Sequence, residues 1–578
     1  MSDGAAREAT PMSHWWADAL VYQVYVRSFA DSDGNGIGDL DGITAHLDHI
    51  AALGADAIWL NPCYPSPQRD HGYDVSDYTA IHDEYGSLET FDRLVAEARA
   101  RGIRVIMDVV PNHCSSEHPW FLAALAAPPG SPERARFYFR DGRGAGGAEP
   151  PNNWQAAFGG PAWSRVDDDP EDGQWYLGTF TPHQPDFDHT NPDVQQLFAD
   201  TLRFWFDRGV EGFRVDAITP VGKHPELPDQ PPVERAVRQL GATWENPYLA
   251  FREEGHAVWR RWRRVLATYE QEHPGRDLVL VGEAYAVGQP DVLTRFTQSD
   301  QFRQMFAFDL TLAPWDKRML ERAIGDPLGV LTASGVAPAW TLNNHDVQRI
   351  VTRLGRADAH LPERWTNSGL DVTDAPVDLA LGTRRARAAA ALAFALPGSL
   401  YLYQGEELGL PEVLDVPDDR REDPVFALTG GEVIGRDGCR IPLPWTADPA
   451  TSYGFSPASP EGVADPWLPQ PDGWGDYSLE TQLGAADSVL GLYGELSRAR
   501  REHAVPQGMA AGLVDLDERL VALARGGLIV ILNPTDGPVA LDPRHEALAG
   551  ARPVLSSAPG EMHTPAVVPA DTTVWLVR

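Results

Sequence analysis

The stretch PDVQQLFADTLRFWFDRGVEGFRVDAI, from Pro192 to Ile218, carries two periods in succession. Val194, Leu197, Phe198, Leu202, Trp205 and Phe206 recur at helical spacing and predict a helix over Pro192 to Gly209 with one apolar face. GFRVDAI follows at once, a short apolar run that predicts a strand ending on an acid, Asp216. A helix leading directly into a buried strand is the repeating piece of a parallel sheet.

The same alternation fills residues 19 to 410. Seven further strand candidates begin at Ala19 (ALVYQVYVRSF), Ala55 (ADAIWLNP), Arg104 (RVIMDVVPNH), Leu278 (LVLVGEAY), Met305 (MFAFDL), Ala337 (APAWTLNNHD) and Leu396 (LPGSLYLYQGEE). Amphipathic segments lie between them, such as Ser87 to Gly102, where Phe91, Leu94, Val95 and Ala98 share a face and Gly102 supplies the C-cap. Eight βα units predict an α/β fold, a closed (β/α)8 barrel of the TIM type, whose chemistry belongs at the C-terminal ends of its strands. Two departures extend it. Residues 114–183 are loop-like, rich in Gly, Pro, Asn and Trp, and too long for a simple connection, which predicts a small inserted domain after the third strand. The tail, residues 496–578, carries short β runs such as LVALAR, LIVILN and TTVWLVR and predicts a separate antiparallel β-sandwich. Residues 1–113 and 184–495 then make the barrel, which a Pro-, Gly- and Asp-rich stretch from Pro411 to Asp476 joins to the tail.

Composition narrows the partners. A chain of 578 residues with 43% hydrophobic content can bury a large core. Its 83 acidic against 48 basic residues give a formal charge of −35, which repels phosphate backbones and anionic bilayers and argues against nucleic acid or membrane as partners. Lys223 and Lys317 are the only lysines, so the positive charge is almost all arginine. The start, Met1 to Ser13, lacks the succession of a secretory signal, and no apolar run reaches the length of a membrane span, which predicts a cytoplasmic protein. Cys63, Cys114 and Cys439 lie far apart without metal-ligand spacing and predict three free thiols. The sequence leaves monomer and homodimer equally open.

Three carboxylates stand at strand ends: Asp216 in GFRVDAI, Glu283 in VGEAY and Asp346 in NNHD. Cleaving an acetal needs one acid to protonate the leaving oxygen and one carboxylate to attack or stabilise the cationic carbon. Period-two geometry puts Arg214 on the face of Asp216, where its guanidinium can hold that carboxylate ionised. Glu283 stands between Gly282 and Ala284 in an apolar strand end, a setting that raises a carboxyl pKa toward acid duty.

These segments resemble the α-amylase superfamily, glycoside hydrolase family 13, and within it the oligo-1,6-glucosidase and α-glucosidase group. The matching stretches are DVVPNH (Asp108 to His113), GFRVDAI, VGEAY and NNHD, with QPDFD (Gln184 to Asp188), GYDVSDY (Gly72 to Tyr78) and GRDGCR (Gly435 to Arg440) in order along nearly the whole chain. The resemblance implies a retaining, exo-acting α-glucosidase that cuts glucose from the non-reducing ends of short oligosaccharides and transfers some of it to other sugars. By it, Asp216 is the nucleophile, Glu283 the acid/base and Asp346 the transition-state stabiliser. His113 and His345 resemble hydroxyl-binding histidines. Asp74 resembles the carboxylate closing an exo pocket by pairing with an arginine, here Arg436. Tyr78, Phe158 and Phe180 are weaker candidates for the pocket wall, with packing roles equally open.

No cofactor is implied for catalysis. The loop DSDGNGIGD resembles the family's structural metal loop, with Asp31, Asp33, Asn35, Asp39 and the Ile37 carbonyl as ligands for Ca²⁺ or Mg²⁺, and oxygens at alternate positions suit such a cation. It lacks the distal glutamate of an EF-hand, so an Asx-turn loop without metal is the other reading. Two features depart from the group: Asp188 replaces an amide in QPDFD, and Ala217 follows the nucleophile where 1,6-acting relatives often carry valine. Ala217 points to α-1,4, maltose-type substrates. Rival readings are a glucosyl-transferring isomerase of the trehalose synthase or sucrose isomerase type, an oligo-1,6-glucosidase, and a non-catalytic relative lacking some of these acids.

Overall fold

Each of the eight apolar runs forms a strand in the computed structural model, which describes residues 14–166, 173–231, 246–250, 252–333, 335–361, 375–458, 463–508, 510–560 and 566–578. They are β1 (Leu20–Val24), β2 (Ala57–Leu60), β3 (Arg104–Val109), β4 (Gly212–Val215), β5 (Val279–Gly282), β6 (Gln304–Phe306), β7 (Ala337–Thr341) and β8 (Ser399–Tyr403). Every neighbour is parallel, and β1 pairs with both β2 and β8, so the sheet closes. Strands covered on both faces read as continuous apolar runs, which is why the pattern does not alternate. The split is nonetheless period-two. Val21, Ala57, Trp59, Ile106, Val281, Phe306 and Tyr401 fill the barrel interior, while Leu20, Ile58, Met107, Val215, Leu280 and Leu402 pack outward under the helices.

The predicted helices lie where the periodicity puts them, over Leu88–Ala100 and Pro192–Asp207, capped at their N-termini by the side chains of Ser87 and Asn191. Between β3 and β4, strands 139–141, 174–177 and 163–165 form a three-stranded antiparallel sheet. Its core of Tyr138, Trp154, Trp163 and Leu177 also takes in Leu227 and Leu249, so the segment after β4 packs into the insertion as well.

The tail forms a five-stranded antiparallel sheet with a two-stranded one beside it. Alternation here is two-sided. Val521, Leu523, Val530, Leu532 and Trp575 join the large core cluster of the barrel, while Ala522, Ile529, Ile531, Val574 and Leu576 form a separate one with Val539 and Val568. Trp575 Nε1 donates to the Ala391 carbonyl of helix Leu379–Ala395 at 2.8 Å, fixing the sheet to the barrel.

Candidate active site

The C-terminal ends of the strands surround a cavity of about 480 Å³ that Asp216, Glu283 and Asp346 all line. Asp216 directly follows β4 and Glu283 directly follows β5. Arg214, fully buried on β4, binds both: Nη1 lies 2.6 Å from Asp216 Oδ1 and Nη2 2.8 Å from Glu283 Oε1. One guanidinium thus holds the two carboxyls side by side. Ala217 turns the chain at φ +44, and its N–H donates to Glu283 Oε2 at 2.8 Å.

Arg214 was expected to keep Asp216 ionised, and the contact is present, but the guanidinium is shared. A third acid, Asp108 of β3, holds Nη1 at 3.0 Å. Burial, with repulsion from Glu283, Asp108 and Asp346, outweighs Arg214 and raises the Asp216 carboxyl well above its ordinary range. Burial also raises Glu283, with Asp346 adding to it, and pushes Asp108 up to about 7. Three acids on one cation in a dry site favour a proton shared by the group as a whole. That arrangement offers one carboxylate and one carboxylic acid side by side, the pair that acetal cleavage with retention needs.

The opposite wall is ordered by Arg436. Its Nη1 donates to Asp346 Oδ1 at 2.9 Å, its Nη2 to Asp70 Oδ1 at 2.8 Å and its Nε to Asp423 Oδ2 at 2.6 Å. Arg440 adds a contact to Asp346 Oδ1 at 3.2 Å. Burial alone would raise Asp346, but His345 and the guanidinium groups hold it well below the usual carboxylate range. His345 is itself kept neutral by burial, so the arginines do the holding.

The expected partner of Arg436 needs correction. Asp74 does not line the cavity; it accepts from Ser66 Oγ at 2.8 Å and from the N–H groups of Arg69 and Asp70 at 2.9 and 3.0 Å. Asp70, four residues earlier, takes the place that Asp74 was given. Tyr78 is corrected likewise: its hydroxyl donates to the Val110 and His113 carbonyls in the core, and the tyrosines that line the cavity are Tyr73 and Tyr285. His113, Phe158 and Phe180 line it as expected, with burial pushing His113 down to about 4 and Arg436 lying 5.0 Å over the Phe158 ring. His345 stands behind Tyr73, its Nε2 2.7 Å from the tyrosine oxygen and 3.2 Å from Asp346 Oδ2.

Sequence reasoning missed Asp70, Tyr73, Asp108, Asp423 and Lys223. The Lys223 ammonium is wholly buried 2.9 Å from Asp186 Oδ2 and donates to Asn112 Oδ1 and the Pro220 carbonyl, each at 2.7 Å. Asp186 also accepts from Thr179, whose neighbour Phe180 lines the cavity. Lys223 thus joins the insertion to the ends of β3 and β4. Asp188 is half-buried and accepts from the N–H and hydroxyl of Thr190.

In the loop after β1, carboxylate oxygens of Asp31, Asp33 and Asp39 lie within 4.8 Å of one another. Burial, with some repulsion from Asp31 and Asp39, raises the Asp33 carboxyl. Hard oxygen donors this close suit a small divalent cation. The same oxygens also organise the loop, Asp31 accepting from the N–H groups of Gly34 and Gly36, and Asp39 from those of Ser32 and Gly42.

A family model described as alpha amylase, catalytic domain, matches residues 23–508. A probable alpha-glucosidase of Rhizobium meliloti (strain 1021) is 35% identical over 554 residues, covering 92% of this chain and 89% of that protein. An oligo-1,6-glucosidase of Parageobacillus thermoglucosidasius is 31% identical over 518 residues, covering 85% of this chain and 84% of the other. Among solved structures, the alpha-glucosyl transfer enzyme XgtA superposes with a TM-score of 0.81 at 32% identity, over 98% of this chain and 100% of that one.

Proposed function

Since the chain belongs to the α-amylase family, glycoside hydrolase family 13, and is a glycoside hydrolase of the α-glucosidase kind, we propose that it is a retaining exo-α-glucosidase acting on maltose-type α-1,4 bonds of short oligosaccharides, with transglucosylation beside hydrolysis. The observation that carries this reading is the placement of Asp216 and Glu283 side by side on Arg214, in a cavity blocked on its far side by the Asp70–Arg436 pair.

In this reading Asp216, as carboxylate, attacks the anomeric carbon of a terminal glucose while Glu283 protonates the departing oxygen. The covalent glucosyl ester is then cleaved by water, with Glu283 as base, and the two inversions restore the starting configuration. An inverting enzyme needs room for a water between its two acids; two acids gripped by one guanidinium favour the shorter, retaining spacing. Asp346, fixed as an anion by Arg436 and Arg440, grips the ring hydroxyls and favours the positively charged transition state. His113 binds a hydroxyl as a neutral ring, and Phe158 and Phe180 wall the sugar in. The Asp70–Arg436 pair admits one sugar unit from a chain end. Ala217, one methyl beside the nucleophile, supports 1,4 over 1,6 linkages.

Asp31, Asp33, Asn35, Asp39 and the Ile37 carbonyl would hold a Ca²⁺ or Mg²⁺ that neutralises the crowded carboxylates of that loop and takes no part in catalysis. The buried, unpaired thiols of Cys63, Cys114 and Cys439 support a reducing, cytoplasmic setting. For the domains, we retain bounds of 1–113 with 184–495, 114–183 and 496–578. Likeness to a glucosyl-transferring enzyme favours one rival, transfer to a sugar rather than to water.

Purified protein given maltose and isomaltose, followed by proton NMR, tests the reading. Release of α-glucose from maltose, faster than from isomaltose, is expected. First appearance of β-glucose would sink retention, and new disaccharides without free glucose would establish the transferase.

A further inference from the structure

Gln23 lies on β1, far in sequence from every acid of the site and only 1% exposed. Its side-chain nitrogen donates to Asn61 Oδ1 at 2.8 Å and faces His345 Nδ1 at the same distance. Asn61 Nδ2 in turn donates to the Tyr73 hydroxyl at 2.8 Å, and that hydroxyl donates to Asp108 Oδ2 at 3.0 Å. A neutral imidazole carries one proton, and the partner of one ring nitrogen decides which nitrogen has it. An amide N–H aimed at Nδ1 requires that nitrogen to be the acceptor. The other side of the ring makes the same demand independently: Nε2 lies 2.7 Å from the Tyr73 oxygen, which spends its own proton on Asp108 and so accepts from Nε2.

From these two contacts we infer that Gln23 is a positioning residue for the reaction, holding His345 as the neutral Nε2–H tautomer, so that the ring donates to the Tyr73 hydroxyl and turns a protonated nitrogen, not a lone pair, toward Asp346 3.2 Å away. Asp346 Oδ1 is then held by Arg436 and Arg440, and Oδ2 lies 3.2 Å from the protonated nitrogen of His345. Each oxygen of the carboxylate then faces a positive or protonated group, and the sugar meets a preset anion. The groups facing the ring are Asp346 on its own loop, Gln23 from β1, Tyr73 from the loop after β2, Trp59 from β2 and Tyr25 from the segment after β1. Burial, with Arg440, Arg214 and Arg436 nearby, keeps the ring neutral. The inference rests on the reading of Asp346 as a substrate-gripping anion, but the protonation state can be measured without turnover.

The test is nitrogen NMR of the full chain labelled in histidine, with the His345 signal assigned by its loss in His345→Gln. The wild-type protein should show a neutral ring, protonated on Nε2, from pH 6 to pH 8 by order of magnitude of the window in which free imidazole titrates. Gln23→Glu replaces the donor by an acceptor. It should move the proton to Nδ1 or create an imidazolium, and lower kcat/KM roughly tenfold, the size of one lost charge-assisted hydrogen bond. Gln23→Met, which removes the donor without offering an acceptor, should let part of the ring population carry its proton on Nδ1 and lose less activity; a ring still wholly protonated on Nε2 would overturn the inference. A wild-type ring protonated on Nδ1 overturns the inference. So does a Gln23→Glu protein with the wild-type tautomer. If the tautomer behaves as stated while activity in all variants is unchanged, the reading of Asp346 fails instead. Should Gln23→Glu not fold, the wild-type spectrum and Gln23→Met still decide.

Discussion

Arg214 and Arg436 each gather three carboxylates at one end of the same barrel, yet their acids go opposite ways. Around Arg214, burial wins: Asp108, Asp216 and Glu283 are all raised. Around Arg436, Asp346 and Asp423 are held well below their ordinary range, and only Asp70 is raised by burial. The difference is the second cation. Arg440 adds its charge to Asp346 and Asp423, and among the described residues no second arginine or lysine pairs with the Arg214 group. Both clusters are equally dry, so burial does not sort them. The ratio of guanidinium to carboxyl does, and it separates acids that must move protons from acids that must stay charged.

That contrast can be broken at its most sensitive point by Asp216→Asn, which removes the nucleophile. A loss of roughly 10⁴-fold or more in kcat is expected, and residual activity near wild type would end the assignment. Next is Glu283→Gln, with about 10²- to 10⁴-fold loss. Because the protonated acid is the working form and its pKa is raised, activity persists above the ordinary carboxyl range and falls as pH rises through that raised value. Gln cannot titrate, so the alkaline limb of the kcat/KM profile should vanish, and aryl glucosides with good leaving groups should lose least.

A subtler change makes the two clusters alike. Arg440→Gln removes the second cation, lets burial raise Asp346, and should increase KM roughly tenfold. Its sign is also readable: since Asp346 works ionised, the acid limb of kcat/KM should move to higher pH. Arg440→Lys should restore most of it. The smallest effect belongs to the loop after β1, remote from both clusters. Chelation should lower Tm by about 2 °C or more through lost cation binding, without changing kcat, and an unchanged melting curve would favour the metal-free Asx-turn reading.

The barrel was legible because its strands are apolar on both faces, and each run from ALVYQVYVRSF to LPGSLYLYQGEE marks one. Asp216 and Glu283 were legible because strand ends are where such a fold must put polar atoms. Asp70 was not. RDHGYD offers two aspartates four apart, and which one faces the cavity depends on a turn through Gly72, at φ +98, where a Cβ would meet the Pro62 carbonyl at 2.8 Å. Asp74 then spends its oxygens on the donors of its own loop. Asp108 stood in a quoted motif read for its histidine rather than its acid. Lys223, in VGKHPEL, has the look of a solvated loop residue, and only the approach of Asn112 and Asp186 from elsewhere in the chain makes it a buried tie. The elevated pKa of Asp216 was equally hidden, because a two-residue spacing reveals Arg214 but not the other acids competing for it.

The ammonium sealed between insertion and barrel also bears on how the protein can be handled. Lys223 is wholly buried, and Lys317, 22% exposed and joined to Glu321 at 2.6 Å, is the only other lysine. Amine-directed coupling should therefore attach at Lys317 or the terminal amine and leave the roof of the cavity alone, as peptide mapping after acylation would display. A surface so poor in primary amines gives a tethered catalyst few attachment points, and so a narrow range of orientations on its support.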